Sequence, residues 1–255
     1  MEYENVDDDN LIYVPGPSAK LALHTRLWID RKHEVPLPPP LAMLFHKPKW
    51  MLSVTSDPLG RPCIDQNIIP NGMHPVGRLD YDSSGLLLFS SSGPLTQRLL
   101  HPKHDISKVY QVVVTNLVDE LQLREQLTSG VKTGEGIHTA DLLSVVHFDQ
   151  TEVAPYLASI RGGIPSHYNQ TDLEQRGYLD IFQATSLSTV TVRVREGKYR
   201  MVRRILANCG HPVVTLVRQQ FGEISLGDLP EGKLRAVTAE QEAWLESVLA
   251  GGGSS

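Results

Sequence analysis

Residues 76 to 90 combine charged and apolar residues in an order that could support chemistry. An Arg-Leu-Asp triplet, residues 78 to 80, stands shortly before Gly85 and a run of large apolar residues. This order predicts a turn next to a buried strand, with the carboxylate of Asp80 at the edge of a sheet. A carboxylate held at the end of a rigid element is suited to covalent or acid–base catalysis.

Asp80 and Asp82 also have simpler interpretations. Asp is common in turns, and Asp80 taken alone would more often be a turn or cap residue than a catalytic one. Two carboxylates so close in sequence also suggest the acid pair of a carbohydrate hydrolase. Nothing else in the chain supports sugar hydrolysis, so we interpret Asp82 as a turn residue.

A second segment, residues 195 to 206, is strongly basic and predicted to be helical. On a helical wheel one face of this segment is apolar. The opposite face presents three guanidinium groups, those of Arg200, Arg203 and Arg204. Gly210 is well placed to end the helix. Guanidinium groups are suited to bidentate contacts with phosphates or carboxylates.

The charge of the chain is unevenly distributed. The formal net charge of the 255 residues is −5, yet residues 193 to 218 contain seven basic residues against one acidic residue, Glu196. A confined basic surface on an acidic protein predicts a local site for a polyanion, and a solvated helix face is the alternative. The scarcity of acidic residues in this segment favours the site.

The composition argues against several classes of protein. No apolar run approaches the ~20 residues of a membrane helix. The first ten residues contain five acidic residues and no basic one, unlike a signal or transit peptide. Two cysteines, Cys63 and Cys209, form neither a disulfide framework nor a zinc site, and the ten histidines show no ligand set. We therefore expect an intracellular protein, cytoplasmic or in an organellar matrix, without a metal or a membrane partner.

Helix and strand patterns are interleaved without a regular βαβ rhythm, which indicates the α+β class. We predict strands at residues 41–45, 85–90, 108–115, 190–194 and 213–217. We predict helices at residues 94–100 and 116–128, the second with Leu117, Leu121 and also Val118 facing inward. Three regions complete the organisation, namely an irregular extension at 1–40 with a Pro-rich spacer at its end, one domain at 41–249 with a surface insertion at about 149–180, and a flexible tail at 250–255.

Together these segments resemble the pseudouridine synthases, in particular the branch that includes RsuA and its relatives that act on ribosomal RNA. Five motifs occur in the family's order, which makes chance a poor explanation. They are Leu-Phe-His-Lys-Pro at 44–48, the loop at 56–62, Val-Gly-Arg-Leu-Asp with Ser-Gly-Leu-Leu-Leu within 75–88, Lys-Val-Tyr at 108–110, and Glu-Gly-Lys-Tyr-Arg-Met-Val-Arg-Arg at 196–204.

The resemblance implies a catalytic domain with a mixed, mostly antiparallel sheet in two subdomains that flank a cleft. It implies isomerisation of uridine to pseudouridine in folded RNA, without metal or organic cofactor. It makes Asp80 the essential nucleophile, Tyr110 the aromatic residue against the flipped uracil, and Arg203 the partner of Asp80. The remaining predicted substrate-binding residues are basic: Arg61, Arg78, Lys108, Lys198, Arg200 and Arg204.

The expected partner is structured RNA, either ribosomal or transfer RNA, with a ribosomal or assembly-factor protein as a further partner. The chain departs from the family pattern at His46 and at Lys49-Trp50, and residues 11–40 are at most a remnant of the usual S4 domain. These departures motivate a second hypothesis, a catalytically silent RNA-binding relative that acts in ribosome assembly. Retention of Asp80, Tyr110 and Arg203 favours the enzyme. The sequence does not distinguish attack on the sugar from removal of its C2′ proton.

Overall fold

The computed structural model describes residues 40–251 except residue 66, together with the backbone of four strands nearer the N-terminus. The chain divides into two compact units, Met1–Pro40 and Leu41–Ser255. Residues 36–39 of the predicted spacer and residues 252–255 of the predicted tail lie outside the described residues.

The first unit contains an antiparallel sheet of four strands in the order β2-β1-β3-β4. The strands are β1 (Glu2–Asn5), β2 (Asp8–Tyr13), β3 (Arg26–Ile29) and β4 (His33–Val35). The prediction that residues 1–40 are irregular is therefore wrong for these segments. The strands are short, and the acidic residues and prolines around them obscured their aromatic and branched residues.

The second unit is built on a nine-stranded sheet, and a separate hairpin lies beside it. In chain order the strands are β5 (Ala42–Lys47), β6 (His74–Val76), β7 (Ser84–Ser90), β8 (Lys108–Thr115), the hairpin β9 (Val131–Thr133) and β10 (Gly136–His138), β11 (Asp141–His147), β12 (Leu187–Val194), β13 (Val213–Phe221), β14 (Ile224–Ser225) and β15 (Leu234–Ala236). The main path is β11-β12-β8-β13-β7-β5-β15. Only β7 and β13 pair in parallel among the described strands of this sheet, so the predicted α+β class with a mostly antiparallel sheet is confirmed.

Seven α-helices are described, and a short 3₁₀ helix spans Pro102–His104. They are α1 (Gly93–Leu100), α2 (Glu120–Ser129), α3 (Gln150–Gly162), α4 (Gln170–Gln175), α5 (Tyr178–Ile181), α6 (Met201–Asn208) and α7 (Ala239–Ala250). Within the described part of the chain, none of these helices has the length and apolar character that crossing a membrane requires.

Strand β7 lies at the centre of the core, and all seven of its residues are buried. Leu87 and Phe89 belong to one apolar cluster, while Leu86 and Leu88 belong to another that includes residues of α1 and α7. Because successive side chains of a strand point to opposite faces, the strand is covered on both sides. The predicted burial of both faces is confirmed.

Helix α2 differs from its prediction in both start and orientation. The carboxylate of Asp119 accepts from the backbone N–H of Gln122, so the helix begins one turn later than the pattern indicated. This start turns Leu123 and Leu127 into the core, while Leu117 and Leu121 are 60% and 80% exposed. The predicted inward face is wrong for Leu117 and Leu121, whereas Val118, which precedes the helix, is buried as predicted. Packing of Leu123 and Leu127 against the core decides which face of the helix is buried.

The predicted surface insertion at about 149–180 is helical, not irregular, and contains α3, α4 and α5. Asp149 and Glu152 form a capping box at the start of α3. Val153 and Leu157 of α3 pack with Tyr178 against a cluster that includes Val113 and Leu187 of the sheet. The insertion therefore covers part of one sheet face.

Candidate active site

One cleft of the second unit brings together most of the predicted site residues. The cleft has a volume of ≈ 680 Å³, within the usual range of ligand sites. Its described lining includes Asp80, Tyr110 and Arg203, and also Arg78, Lys108, Lys198 and Arg200. Seven Lys or Arg side chains line it against two acidic ones, Asp80 and Glu196. The cleft is therefore suited to a polyanionic ligand.

The loop between β6 and β7 holds Asp80 in place through its backbone. The Ser53 hydroxyl donates to the carbonyl of Leu79 at 2.8 Å and accepts from the N–H of Leu79 at 3.0 Å. The N–H of Ser83 donates to the carbonyl of Asp80 at 3.1 Å, and the N–H of Trp50 donates to the carbonyl of Tyr81 at 2.6 Å. Because both flanking residues are tied down, the position of the Asp80 carboxylate is fixed.

The Asp80 carboxylate is partly buried, and its nearest cation is Arg200, with Nη1 3.9 Å from Oδ2. Burial raises the pKa of Asp80 above its ordinary value, Arg200 opposes the shift, and the neighbouring charge of Asp82 adds to it. The carboxylate is therefore a stronger base than an exposed Asp. The arrangement fits a group that attacks carbon or accepts a proton.

Asp82 is buried and binds two arginines. Its two carboxylate oxygens accept from Nη1 and Nη2 of Arg200, each at 2.9 Å, and Nη2 of Arg203 lies 3.5 Å from Oδ1. Burial alone would raise the pKa of Asp82, but Arg203 and Arg200 together hold it at about 2. The interpretation of Asp82 as a turn residue missed this role. The carboxylate stays ionised and paired, which does not fit the acid of a glycosidase pair.

Arg203 does not have the partner that the family resemblance implied. Its Nη2 donates to the carbonyl of Asp82 at 2.9 Å and to the Ser83 hydroxyl at 3.2 Å, whereas Arg200 is the arginine closest to Asp80. Arg203 is buried, so the predicted row of three guanidinium groups on one solvated face is wrong. Burial lowers the pKa of Arg203, and its charge still favours the ionised form of Asp80.

Arg200 explains why the helical wheel failed. The residue stands before α6 with φ 50° and ψ 27°, a left-handed conformation that costs a non-Gly residue roughly 1–3 kcal/mol. The chain therefore turns sharply before the helix, which begins at Met201 and not in the 195–200 segment. Although burial lowers the pKa of Arg200, its hydrogen bonds with Asp82 raise it above the ordinary value. The bidentate hydrogen bonds between Arg200 and Asp82 offset the conformational strain of the left-handed Arg200 backbone.

Tyr110 and Lys108 reach the cleft from strand β8. They stand two residues apart, so the alternation of the strand directs both to the same face. Across the sheet Tyr110 lies opposite Arg218 of β13, which also lines the cleft. Sequence reasoning gave Arg218 no site role, because a cross-strand neighbour far away in the chain leaves no local signal.

Lys47 of the first motif is a second residue that sequence reasoning missed. It is completely buried, and its ammonium group donates to the carbonyls of Pro48 and Met51 at 2.8 and 2.7 Å. Burial lowers its pKa to about 7, although Asp82 and Asp80 oppose the shift. In the sequence Lys47 is followed by Pro48 at the end of a strand, and this pattern does not indicate a buried ammonium group.

Two predicted substrate-binding residues do not line the cleft. Arg61 forms a bidentate pair with Asp57 and lies 5.9 Å from the ring of Tyr81. Arg204 pairs with Glu135 at 2.7 Å. Their contact with substrate stays a prediction, and each has an acidic partner in the structure.

The departure from the family pattern at Trp50 has a structural counterpart. The Trp50 ring lies 5.6 Å from the ring of Tyr81, 5.7 Å from Tyr168 and 6.4 Å from Tyr178. Tyr168 and Tyr178 belong to the helical insertion, and Tyr81 follows Asp80 directly. The bulky residue at 50 thus fills the space between the insertion and the loop of Asp80. Among the described residues, no group of three or more His, Cys, Asp or Glu is arranged to hold a metal ion.

Comparison with known proteins relates the chain to RNA-modifying enzymes by sequence. A family model described as RNA pseudouridylate synthase matches residues 42–208. The ribosomal large subunit pseudouridine synthase B of Bacillus subtilis is 29% identical over 204 residues, covering 79% of this chain and 70% of that protein. An uncharacterised RNA pseudouridine synthase of Mycobacterium tuberculosis is 32% identical over 204 residues, covering 78% of this chain and 66% of that protein. The chain thus spans about two thirds of the length of these relatives.

The fold has a counterpart among solved structures. A crystal structure of a pseudouridylate synthase superposes with a TM-score of 0.58 at 21% identity, covering 92% of this chain and 86% of that one. The implied arrangement of sheet and helices therefore exists in an experimentally determined protein.

Proposed function

Because this chain belongs to the RNA pseudouridylate synthase family, we propose that it isomerises one or a few uridines of ribosomal RNA to pseudouridine. The observation that carries the proposal is the convergence of Asp80, Tyr110, Arg200 and Arg203 on one basic cleft. The related proteins of Bacillus subtilis and Vibrio parahaemolyticus are named for the large ribosomal subunit, which supports ribosomal RNA as the substrate.

Asp80 is the proposed catalytic carboxylate. The N1–C1′ bond of the uridine must break, either because the carboxylate attacks C1′ or because it removes the C2′ proton. Both routes use a basic carboxylate that is held rigidly, and the raised pKa and tethered loop of Asp80 provide it. The uracil then turns and bonds to C1′ through C5. This step displaces the Asp80 carboxylate in the first route and returns the C2′ proton in the second. The C5 proton then leaves and N1 takes up a proton, so the product is an isomer of the substrate.

Tyr110 is the proposed wall for the detached base. The nucleotide must leave its stack to enter the cleft, at a cost of a few kcal/mol. Stacking of the base on an aromatic ring stabilises it by ~1–3 kcal/mol, which offsets part of this cost. Arg200 and Arg203, both fixed by Asp82, keep positive charge beside Asp80. Arg78 and Lys198, exposed at the lining of the cleft, are the proposed phosphate contacts.

The proposed partner is folded ribosomal RNA, with a protein of the ribosome or of its assembly as a further candidate. Since ribosomal RNA is found inside cells, we propose an intracellular site of action. The described lining of the catalytic cleft comes from residues of the second unit, and the helical insertion extends the surface next to the loop of Asp80.

Pseudouridine mapping of RNA treated with the purified protein tests the proposal. Unmodified ribosomal RNA should acquire pseudouridine at one or a few uridines with the wild-type chain and at none with Asp80→Asn. Asp57→Asn, which removes a carboxylate outside the cleft, should modify the same uridines as the wild type. Modified sites that persist with Asp80→Asn would contradict the role of Asp80. The absence of pseudouridine in every RNA tested with the wild type would contradict the proposed function.

A further inference from the structure

Two buried cations line the cleft without an acidic partner among the described residues. The Arg218 side chain donates through Nε to the carbonyl of Leu86 at 2.6 Å, but its Nη2 is buried and makes no hydrogen bond to a described residue. The Lys108 ammonium group donates to the carbonyl of Ile106 at 3.2 Å. The two residues are 3% and 7% exposed. Neither forms an ion pair within the described part of the chain.

Both cations lie beside Tyr110. Arg218 is the cross-strand neighbour of Tyr110, and Lys108 is two residues away on the same strand. The ring of Phe221, which also lines the cleft, lies 5.0 Å from the ammonium group of Lys108 and 5.4 Å from the guanidinium carbon of Arg218. The two positive charges therefore share one end of the space that Tyr110 borders.

Burial of these two cations destabilises the folded protein when no ligand is bound. A buried cation without a compensating charge loses its hydration, and burial together with Arg218 lowers the pKa of Lys108 to about 8. Arg203 is also buried and Arg200 is half-buried, but Asp82 compensates both of them. The contrast within one cleft indicates that a ligand supplies the negative charge that Lys108 and Arg218 lack.

We propose that Lys108 and Arg218 form an anion site that binds the carbonyl oxygens of the uracil while it is detached from the sugar. When the N1–C1′ bond breaks, its electron pair stays on the base, and the negative charge spreads over N1 and the carbonyl oxygens. Hydrogen bonds from the two cations stabilise this charge until C5 bonds to C1′, because that step returns the negative charge to the Asp80 carboxylate and leaves a neutral base. The later loss of the C5 proton is balanced by protonation of N1. The inference rests on the proposed function and adds two catalytic residues to it.

A phosphate oxygen of the RNA is the other source of negative charge for such a site, and kinetics distinguish the two. With Lys108→Met, a site for the detached base predicts that the single-turnover rate at saturating RNA falls at least 100-fold. It also predicts that the Kd for RNA and its salt dependence stay as in the wild type. A phosphate site predicts a weaker Kd, a salt slope smaller by about 0.7 to 0.9, and an unchanged saturated rate. The second pattern would overturn the proposal.

Stability measurements exclude a merely structural role. Removal of an uncompensated buried charge should leave the Tm of Lys108→Met unchanged or higher, whereas loss of a structural residue lowers it. Lys108→Arg and Arg218→Lys keep the positive charge and should retain more of the saturated rate than Lys108→Met. Lys132→Met, an exposed charge outside the cleft, is the matched control and should behave as the wild type.

The outcomes separate this inference from the proposed function. If the wild type forms pseudouridine, Asp80→Asn does not, and Lys108→Met is as fast as the wild type at saturating RNA, the anion site is wrong and the function stands. If the wild type forms no pseudouridine in any RNA, both are overturned. A lower Tm for Lys108→Met with an unchanged saturated rate would also overturn the anion site.

Discussion

Asp82 connects the loop of Asp80 to helix α6. Its carboxylate binds Arg200 in a bidentate pair, and its backbone carbonyl accepts from Arg203, which also reaches Ser83 and lies 3.4 Å from the carbonyl of Val213. The charge beside Asp80 thus depends on a second carboxylate that does not line the cleft. Because Asp82 follows Asp80 by two residues, one short loop carries both the candidate catalytic carboxylate and the carboxylate that binds the arginines.

We predict that Asp82→Asn lowers the free energy of unfolding by roughly 3 kcal/mol, because it leaves the buried guanidinium group of Arg203 and the half-buried one of Arg200 without their carboxylate. Urea unfolding at neutral pH measures this change. Asp141→Asn breaks an exposed Asp–Arg pair, that with Arg195, and should cost less than ~1 kcal/mol. Equal losses for the two variants would show that Asp82 does not hold the arginines.

The pKa of Asp82 predicts how its contribution depends on pH. The value is lowered from 3.8 to about 2 in the folded protein, so the unfolded chain binds a proton first as the pH falls. The stabilisation is fully present above about pH 4 and decreases by about 2 kcal/mol as the pH approaches 2. The difference in unfolding free energy between the wild type and Asp82→Asn, measured from pH 6 to pH 2, should shrink over this window. A difference that is constant with pH would contradict the ion pairs.

Among the elements, the parallel pair β7–β13 brings the loop of Asp80 next to Arg218. Gly85 lies opposite Arg218 in this pair with φ +109°, and a Cβ at that position would collide with the backbone N and O atoms of Arg218. Only glycine permits both the conformation and the close approach. Gly85, which follows the Asp80 motif, is thus required by the close approach of β7 and β13.

We predict that Gly85→Ala separates β7 from β13 and destabilises the protein by more than Gly60→Ala. Gly60 also has positive φ, +69°, but no atom lies within 4 Å of a Cβ built there, so its substitution costs only the conformational strain of roughly 1 kcal/mol. Thermal unfolding of the two variants gives the comparison. Similar Tm values would show that the approach of the strands relaxes easily.

The helical insertion stabilises the sheet that it covers, and a single core residue tests this. Leu157→Ala should lower the unfolding free energy by roughly 2–5 kcal/mol, since Leu157 is buried between α3 and the sheet. Leu121→Ala on the exposed side of α2 should change it by no more than ~0.5 kcal/mol. A neutral Leu157→Ala in urea unfolding would mean that the insertion is only loosely attached.

The elements that the sequence predicted well are those whose pattern is complete within the segment itself. Strand β8 has its predicted bounds, and β7 and α1 differ from their predictions by one residue, because branched or apolar runs end at clear turn residues. Prolines and glycines between residues 155 and 165 hid the helices of the insertion, since propensity alone cannot show that tertiary packing retains α3 around Pro155. The strands before residue 40 were too short to show a period.

At the scale of the whole molecule, the sequence brought Asp80, Tyr110 and Arg203 to one cleft, but it did not show how the charged residues pair. Asp80, Tyr110 and Arg203 are far apart in sequence, and the order of the motifs was enough to place them in one cleft. Arg200, and not Arg203, is the nearest arginine to Asp80 because the backbone of Arg200 is left-handed. Arg218 lies beside Tyr110 because of the register between β8 and β13. Such features arise from tertiary geometry and leave no mark on local sequence.

The distribution of charge predicts how RNA binding responds to salt. The chain has a net charge of −5, so attraction to RNA must come from the cleft, whose described lining has seven basic and two acidic side chains. Each phosphate contact releases counterions, so the logarithm of the affinity should fall linearly with the logarithm of the salt concentration. Arg78→Met and Lys198→Met should each reduce the slope by about 0.7 to 0.9 and leave the saturated single-turnover rate unchanged. Lys132→Met, equally exposed but outside the cleft, should leave the slope unchanged, and an equal effect of all three variants in filter binding would show that attraction is spread over the surface.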